Sequence, residues 1–133
     1  MGFHLAVFSL WAPDVPLTAH FYRDVIGLPL IHQHGDRPHF LLEQGSVLVI
    51  MQGRPVPALD PQPERFPLFA LQVEDLDAAI NRLRQHQVEL PWGIESGPGS
   101  RWIMFHDPAG NLVELVEMAN DSRVSTAGVH DEI

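Results

Sequence analysis

The spacing of apolar residues changes along the chain, and each change marks a new element. "FHLAVFSLW" (residues 3–11) is nearly unbroken in apolar character and predicts a first strand. "DVPLTAHFYRDVIG" (14–27) then places Leu17, Phe21 and Val25 at helical spacing. Asp14 serves as its N-cap, Pro16 lies in the first turn and Gly27 is the stop. Three short strands are predicted next, at roughly 28–34, 37–43 and 46–51, divided by His34-Gly35-Asp36 and by Gln44-Gly45.

The second half repeats that order. "FPLFALQV" (66–73) predicts a strand, and "EDLDAAINRLRQHQV" (74–88) an amphipathic helix. Its buried stripe is Leu76, Ile80, Leu83 and Gln87, with Arg82, Arg84 and Gln85 outward. Strands follow at roughly 89–95, 100–106 and 111–118, with "ESGPGS" and "DPAGN" as turns. Each half is β-α-β-β-β, and neither can bury both its sheet face and its helix alone. The two modules, 3–52 and 66–118, are therefore expected to pair in one α+β domain covering residues 1–120. "GRPVPALDPQPER" (53–65) reads as a surface connector, and 121–133 as a loosely held polar tail.

Composition narrows the function. With 133 residues the chain can bury a core without covalent staples, and with no cysteine it offers no disulfide, thiolate ligand or thiol nucleophile. Seventeen Asp and Glu against eight Arg and no Lys give a formal charge of −9. That balance repels nucleic acid and anionic membrane surfaces, so neither is an expected partner. No apolar run approaches a membrane span, and the apolar N-terminus has no basic leader; a cytoplasmic address is expected. Eight histidines raise the question of a metal.

"HFYRDVIGLPL", "VEDLDAAINRL" and "FHDPAGNLVEL", set in a βαβββ repeat, resemble the vicinal oxygen chelate superfamily from about residue 5 to 118. That is the fold of glyoxalase I, extradiol dioxygenases, fosfomycin-resistance transferases and bleomycin-resistance proteins. The resemblance implies curved mixed sheets around a concave cavity with helices on the outer face, and usually a homodimer. In metal-dependent members a His on the first strand and a Glu on the last strand of each module hold a divalent ion. The resemblance places the His positions seven residues before Asp14 and Asp75, at Val7 and Leu68, and the Glu positions four residues after Gly45 and Gly110, at Val49 and Glu114. One carboxylate and three aliphatic side chains do not make a coordination sphere for zinc, nickel, iron or manganese. No cofactor is therefore expected, with a divalent metal held by non-standard partners as the alternative.

Strand alternation then predicts what lines the cavity. Leu5, Val7, Ser9 and Trp11 should point inward from the first strand, and Val47, Val49 and Met51 from the fourth. Phe66, Leu68, Ala70, Gln72, Leu112, Glu114 and Val116 should do so from the second module. Ser9, Trp11, Met51, Gln72, Trp92, Trp102, Phe105 and Glu114 are the candidate ligand contacts, although the face taken by Trp102 depends on a turn length the sequence leaves open. Such residues fill cores as readily as pockets.

Glu114 is costly to keep ionised among Leu112, Val113, Leu115 and Val116. It could pair with Arg101 or Arg54, stay wet at the cavity mouth, or act as a base or ligand handle. His106 is the second candidate acid or base. His4 falls on the opposite face from Val7, and His32, His34 and His39 cluster at a hairpin whose plainest reading is a solvated tip. His20 and His86 lie on the helices, and His130 in the tail.

Two functions follow. One is metal-independent binding of a small apolar or aromatic molecule. The other is a lyase, isomerase or dioxygenase-type enzyme using Glu114, assisted by His106 or Gln72 or by displaced histidine ligands. A dimeric interaction protein without a ligand is a third reading.

Overall fold

The computed structural model describes residues 2, 5–55 and 69–119, without the side chain of Gln44. His4, Phe66, Leu68, most of the connector and the 121–133 tail, His130 included, lie outside the described residues. The chain divides into two compact units, Met1–Leu59 with His106–Asn111, and Asp60–Phe105 with Leu112–Ile133. Each carries one of the two repeats, except that the turn at 106–111 groups with the first.

In the first unit β1 (Val7–Ala12), β2 (Leu30–His34), β3 (Arg37–Leu41) and β4 (Val47–Gln52) form a mixed sheet in the order β1-β4-β3-β2. β1 runs parallel to β4, and β3 antiparallel to both β2 and β4. α1 (Val15–His20) starts where the Asp14 carboxylate accepts the Leu17 N–H at 3.1 Å, and continues as a π-helical segment, Phe21–Ile26. Gly27 ends it at φ 94°, a left-handed conformation that costs glycine nothing, with the Gly27 and Leu28 amides both donating to the Tyr22 carbonyl. The expected face of Leu17, Phe21 and Val25 is corrected here. Leu17 is 52% exposed, and the buried face is Val15, Thr18, Phe21, Tyr22 and Val25. The wider π turn brings both aromatics inward. The Tyr22 ring lies 6.5 Å from that of Phe40, which with Leu10, Ala12, Leu48 and Ile50 makes up the buried residues of one sheet face.

The second unit repeats the plan with β5 (Phe69–Gln72), β6 (Glu95–Gly97), β7 (Ser100–His106) and β8 (Leu112–Met118) in the order β5-β8-β7-β6. α2 (Leu76–Gln85) is capped by Asp75, which accepts from the Ala78 amide at 3.1 Å, just as Asp14 caps α1. Leu76, Ile80 and Leu83 are its buried stripe, as the spacing predicts. Gln87 is not part of it: the helix has closed by then, and Gln87 is exposed at φ 61°. The strand expected over 89–95 is instead the three residues Glu95–Gly97, because Pro91 offers no N–H and Gly93 no side chain to pack, so pairing begins beyond both.

The architecture is α+β: two four-stranded mixed sheets, neither closed, each with a helix packed on one face. No described helix is long and apolar enough to cross a membrane.

Candidate functional site

Each sheet has one face under its helix and one open face, and strand register assigns residues to them. In the first unit Val7 pairs with Val47, Ser9 with Val49 and Trp11 with Met51, so these six share a face opposite buried Leu10, Ala12, Leu48 and Ile50. Val7 is 49% and Trp11 50% exposed, which makes this face open and apolar. Two of the four positions where the superfamily places a metal ligand, Val7 and Val49, stand on it and carry no donor atom; the residues do not fit the family's four-ligand metal site.

Histidines lie across the same sheet. His39 pairs with Val49 and with His32, and the His32 ring lies 5.2 Å from that of His39 and 5.9 Å from that of His34. The Nδ1–H of His39 donates to the Arg37 carbonyl at 2.9 Å. No three His, Asp or Glu side chains among the described residues are grouped so as to hold a metal ion. His20 pairs with Asp24 at 2.7 Å on the polar side of its helix, and His86 is the C-cap of α2, where a cation suits the helix dipole.

Trp11 is fixed from two sides. Its indole lies so close over Gly53 that a Cβ there would come 2.5 Å from Cε3, and its carbonyl accepts from the Asn111 side-chain amide at 3.2 Å. Asn111 belongs to the "DPAGN" turn, which is built around Asp107, 3% exposed. Oδ1 of Asp107 accepts the Ala109 and Asn111 amides at 2.9 Å each, and Oδ2 accepts from the Tyr22 hydroxyl at 2.7 Å and Asn111 Nδ2 at 3.0 Å. Burial, and then the Asp107 charge, hold the Tyr22 phenol well above its ordinary pKa. Sequence reading missed this pair. An Asp at the head of a tight turn signals the local bonds, but only the tertiary fold supplies the phenol. His106, partly exposed at the end of β7, stands next to this turn.

The open face of the second unit holds the carboxylate. Ala70 pairs with Glu114 and Gln72 with Val116. The Asp107 amide donates to the Asn111 carbonyl at one end of the β7–β8 hairpin, and the Ala119 amide to the Gly99 carbonyl at the other. Both bonds belong to one register, in which Glu114 stands opposite Met104 and Val116 opposite Trp102. Glu95 pairs in turn with Trp102. One row across the sheet therefore reads Gln72, Val116, Trp102, Glu95, and the next Ala70, Glu114, Met104. This settles the face of Trp102: it shares that of Glu114, and its ring reaches within 3.5 Å of where a Gly97 Cβ would stand.

The opposite face carries Arg101, whose guanidinium bonds Glu117 at 2.5 Å and Asp77 at 3.0 Å. The suggested Arg101–Glu114 pair is therefore not formed. Glu114 is partly buried, its carboxyl pushed up from the ordinary glutamate value by desolvation first and by the neighbouring Glu95 charge second. Phe105, proposed from sequence as a ligand contact, is wholly buried on the helix-covered side, two and four residues from Ile103 and Arg101 along the alternation. Trp92 is partly exposed in the bend before β6, Met51 is partly exposed, and Ser9 and Gln72 are exposed.

A separate groove of about 410 Å³ lies in the first unit, with Val15, Pro16, Ala19, Leu30 and Pro38 among its walls. Of its polar members, Arg23 is engaged by Asp24, Gln33 by the Gly35 carbonyl and Gln52 by the Pro13 carbonyl, and Asp36 completes the lining.

Each unit carries one βαβββ module with one sheet face under its helix. The family model described as Glyoxalase/Bleomycin resistance protein/Dioxygenase superfamily matches residues 4–115, and the chain belongs to that family. Among solved structures it is similar to TnmS3, an antibiotic binding protein from Streptomyces sp. CB03234, at 27% identity, TM-score 0.68, over 87% of this chain and 96% of that one. It is also similar to lactoylglutathione lyase from Agrobacterium tumefaciens, at 25% identity, TM-score 0.66, over 86% and 92%. A glyoxalase/dioxygenase from Nostoc punctiforme shares the fold, at 18% identity, TM-score 0.72, over 88% and 92%. No curated protein matches the sequence.

Proposed function

We propose that this protein binds a small, largely apolar or aromatic molecule without a resident metal, in the manner of the binding members of its family. The observation that carries the reading is the make-up of the open faces. Val7 and Val49 stand where metal ligands would, while Trp11, Trp102 and Val116 offer apolar surface with Glu114 and Gln72 as its polar groups. Apolar walls with a few polar groups suit recognition of a drug-sized ligand. The similarity to an antibiotic binding protein supports a ligand of that kind. The test is titration of EDTA-treated protein with a planar aromatic probe, acridine, followed by tryptophan emission. Saturable quenching at micromolar probe supports the reading; none at millimolar probe contradicts it.

A second reading rests on Glu114 itself. A carboxyl held above its ordinary value is better matched to proton abstraction near neutral pH than a solvated one. In an enzyme Glu114 would take a proton from a substrate lying on Trp102. The similarity to a lactoylglutathione lyase supports asking for such activity. Proton exchange at a carbon next to a carbonyl, abolished in Glu114→Gln, would favour this reading over pure binding.

A further inference from the structure

The two carboxylates on the second open face limit what can sit there. Glu114 and Glu95 belong to β8 and β6, with β7 between them, and Trp102 of β7 is paired directly with Glu95 and diagonal to Glu114. The chain has no lysine, and the described arginines of this unit lie elsewhere. Arg82 and Arg84 are on α2, and Arg101 is on the helix-covered face, bonded to Glu117 and Asp77. Among the described residues, then, no guanidinium of this unit lies on the face, and its basic side chain is the imidazole of His106, which ends β7 in the same alternation as Trp102 and Met104. After desolvation, the Glu95 charge is the second cause that raises the Glu114 carboxyl.

We propose that the ligand of this face is an organic cation with a planar apolar body, an aromatic amine, amidine or guanidine. Its ring lies on the Trp102 indole and its charge is met by Glu114 and Glu95. This rests on the reading that the open face binds a small molecule, and it names the class of that molecule.

The geometry selects against the alternatives. A divalent ion needs several oxygens at about 2.0–2.6 Å from one point. Here the two carboxylates rise from strands separated by about 10 Å, two strand spacings, with an indole between them. An anionic ligand would add a third negative charge. A neutral aromatic would stack on Trp102 but would desolvate Glu114 further without compensation. A cation on a flat body answers both features at once: the indole face attracts it through the ring quadrupole, and each carboxylate gains a charge-assisted partner. The Gln72 amide, at the far end of the Trp102 row, is left to meet a carbonyl or hydroxyl on the same ligand.

The experiment uses two probes of nearly equal shape, 9-aminoacridine and acridine, at mildly alkaline pH, where the first is a cation and the second neutral. Each is titrated calorimetrically into the full chain in EDTA. The expected result is a preference for 9-aminoacridine of about tenfold or more, worth roughly one charge-assisted contact. The ratio of the two affinities should fall toward unity in Glu114→Gln and in Glu95→Gln, and should shrink as salt is raised. Glu95 is exposed, so its variant folds whatever becomes of the other. Equal affinities in the wild type, or a preference that survives both substitutions, overturn the assignment of a cationic ligand. Acridine binding with no preference removes this inference and leaves the binding function standing; failure of both probes to bind removes both.

Discussion

The Tyr22 hydroxyl donates to Oδ2 of Asp107 at 2.7 Å, joining residues 85 apart in the sequence through a bond shielded from solvent. Tyr22 comes from the π-helical end of α1, and Asp107 opens the turn whose Asn111 holds the Trp11 carbonyl. Tyr22→Phe leaves Oδ2 with the single Asn111 donor, and should cost about 1–3 kcal/mol in denaturant unfolding near neutral pH. The pH dependence has a definite sign. A phenol raised in the folded state contributes fully below its unfolded value, about 10, and that contribution is lost as pH rises above it toward the folded value. The gap between wild type and Tyr22→Phe should therefore narrow on the alkaline side and stay constant from neutrality to the onset of that titration.

Gly53→Ala tests how Trp11 is seated. The new methyl would lie 2.5 Å from Cε3, so the indole must swing off the backbone. A cost of about 1 kcal/mol is expected, since one side of Trp11 is open and can give. A red shift of tryptophan emission should accompany it. An unchanged spectrum would show that the indole does not rest there.

Glu114→Gln should raise stability at neutral pH. A carboxyl raised on folding adds most below its unfolded value and loses that contribution as pH rises through the folded one, so at neutrality the ionised group is a net burden. Discounted for partial exposure, the gain in melting temperature is about 2 °C. It should vanish as the pH is brought below the ordinary glutamate range. A destabilised variant at neutral pH would mean that Glu114 is satisfied by a partner.

The duplicated caps make a matched pair. Asp14→Ala and Asp75→Ala should each cost about 1 kcal/mol. Because each removes the same carboxylate-to-amide bond at 3.1 Å in a different unit, the double variant should show the sum.

What the sequence revealed follows from how local each feature is. The caps at Asp14 and Asp75, the stop at Gly27 and the stripe of Leu76, Ile80 and Leu83 depend on neighbours within a few residues, and all are in place. So was the oddity of Glu114, because one carboxylate in an apolar strand is visible without coordinates. The exposure of Leu17 was hidden because a π turn breaks the helical spacing used to find its face. The shortness of β6 was visible in Pro91 and Gly93 but was outweighed by the apolar residues around them. The faces of Trp102 and Phe105 required a register, and register required the turn lengths at 98–99 and 107–111. The Tyr22–Asp107 pair, and the engagement of Arg101 by Glu117 and Asp77 rather than Glu114, are tertiary facts that no local pattern carries.

The most direct measurement of the central claim is the affinity of acridine for protein stripped with EDTA, repeated after zinc, nickel, iron(II) or manganese is restored in turn. The account predicts one dissociation constant throughout, and no stoichiometric metal retained after dialysis. Binding that appears only with one of these ions, together with one equivalent of that ion held by the protein, would contradict it.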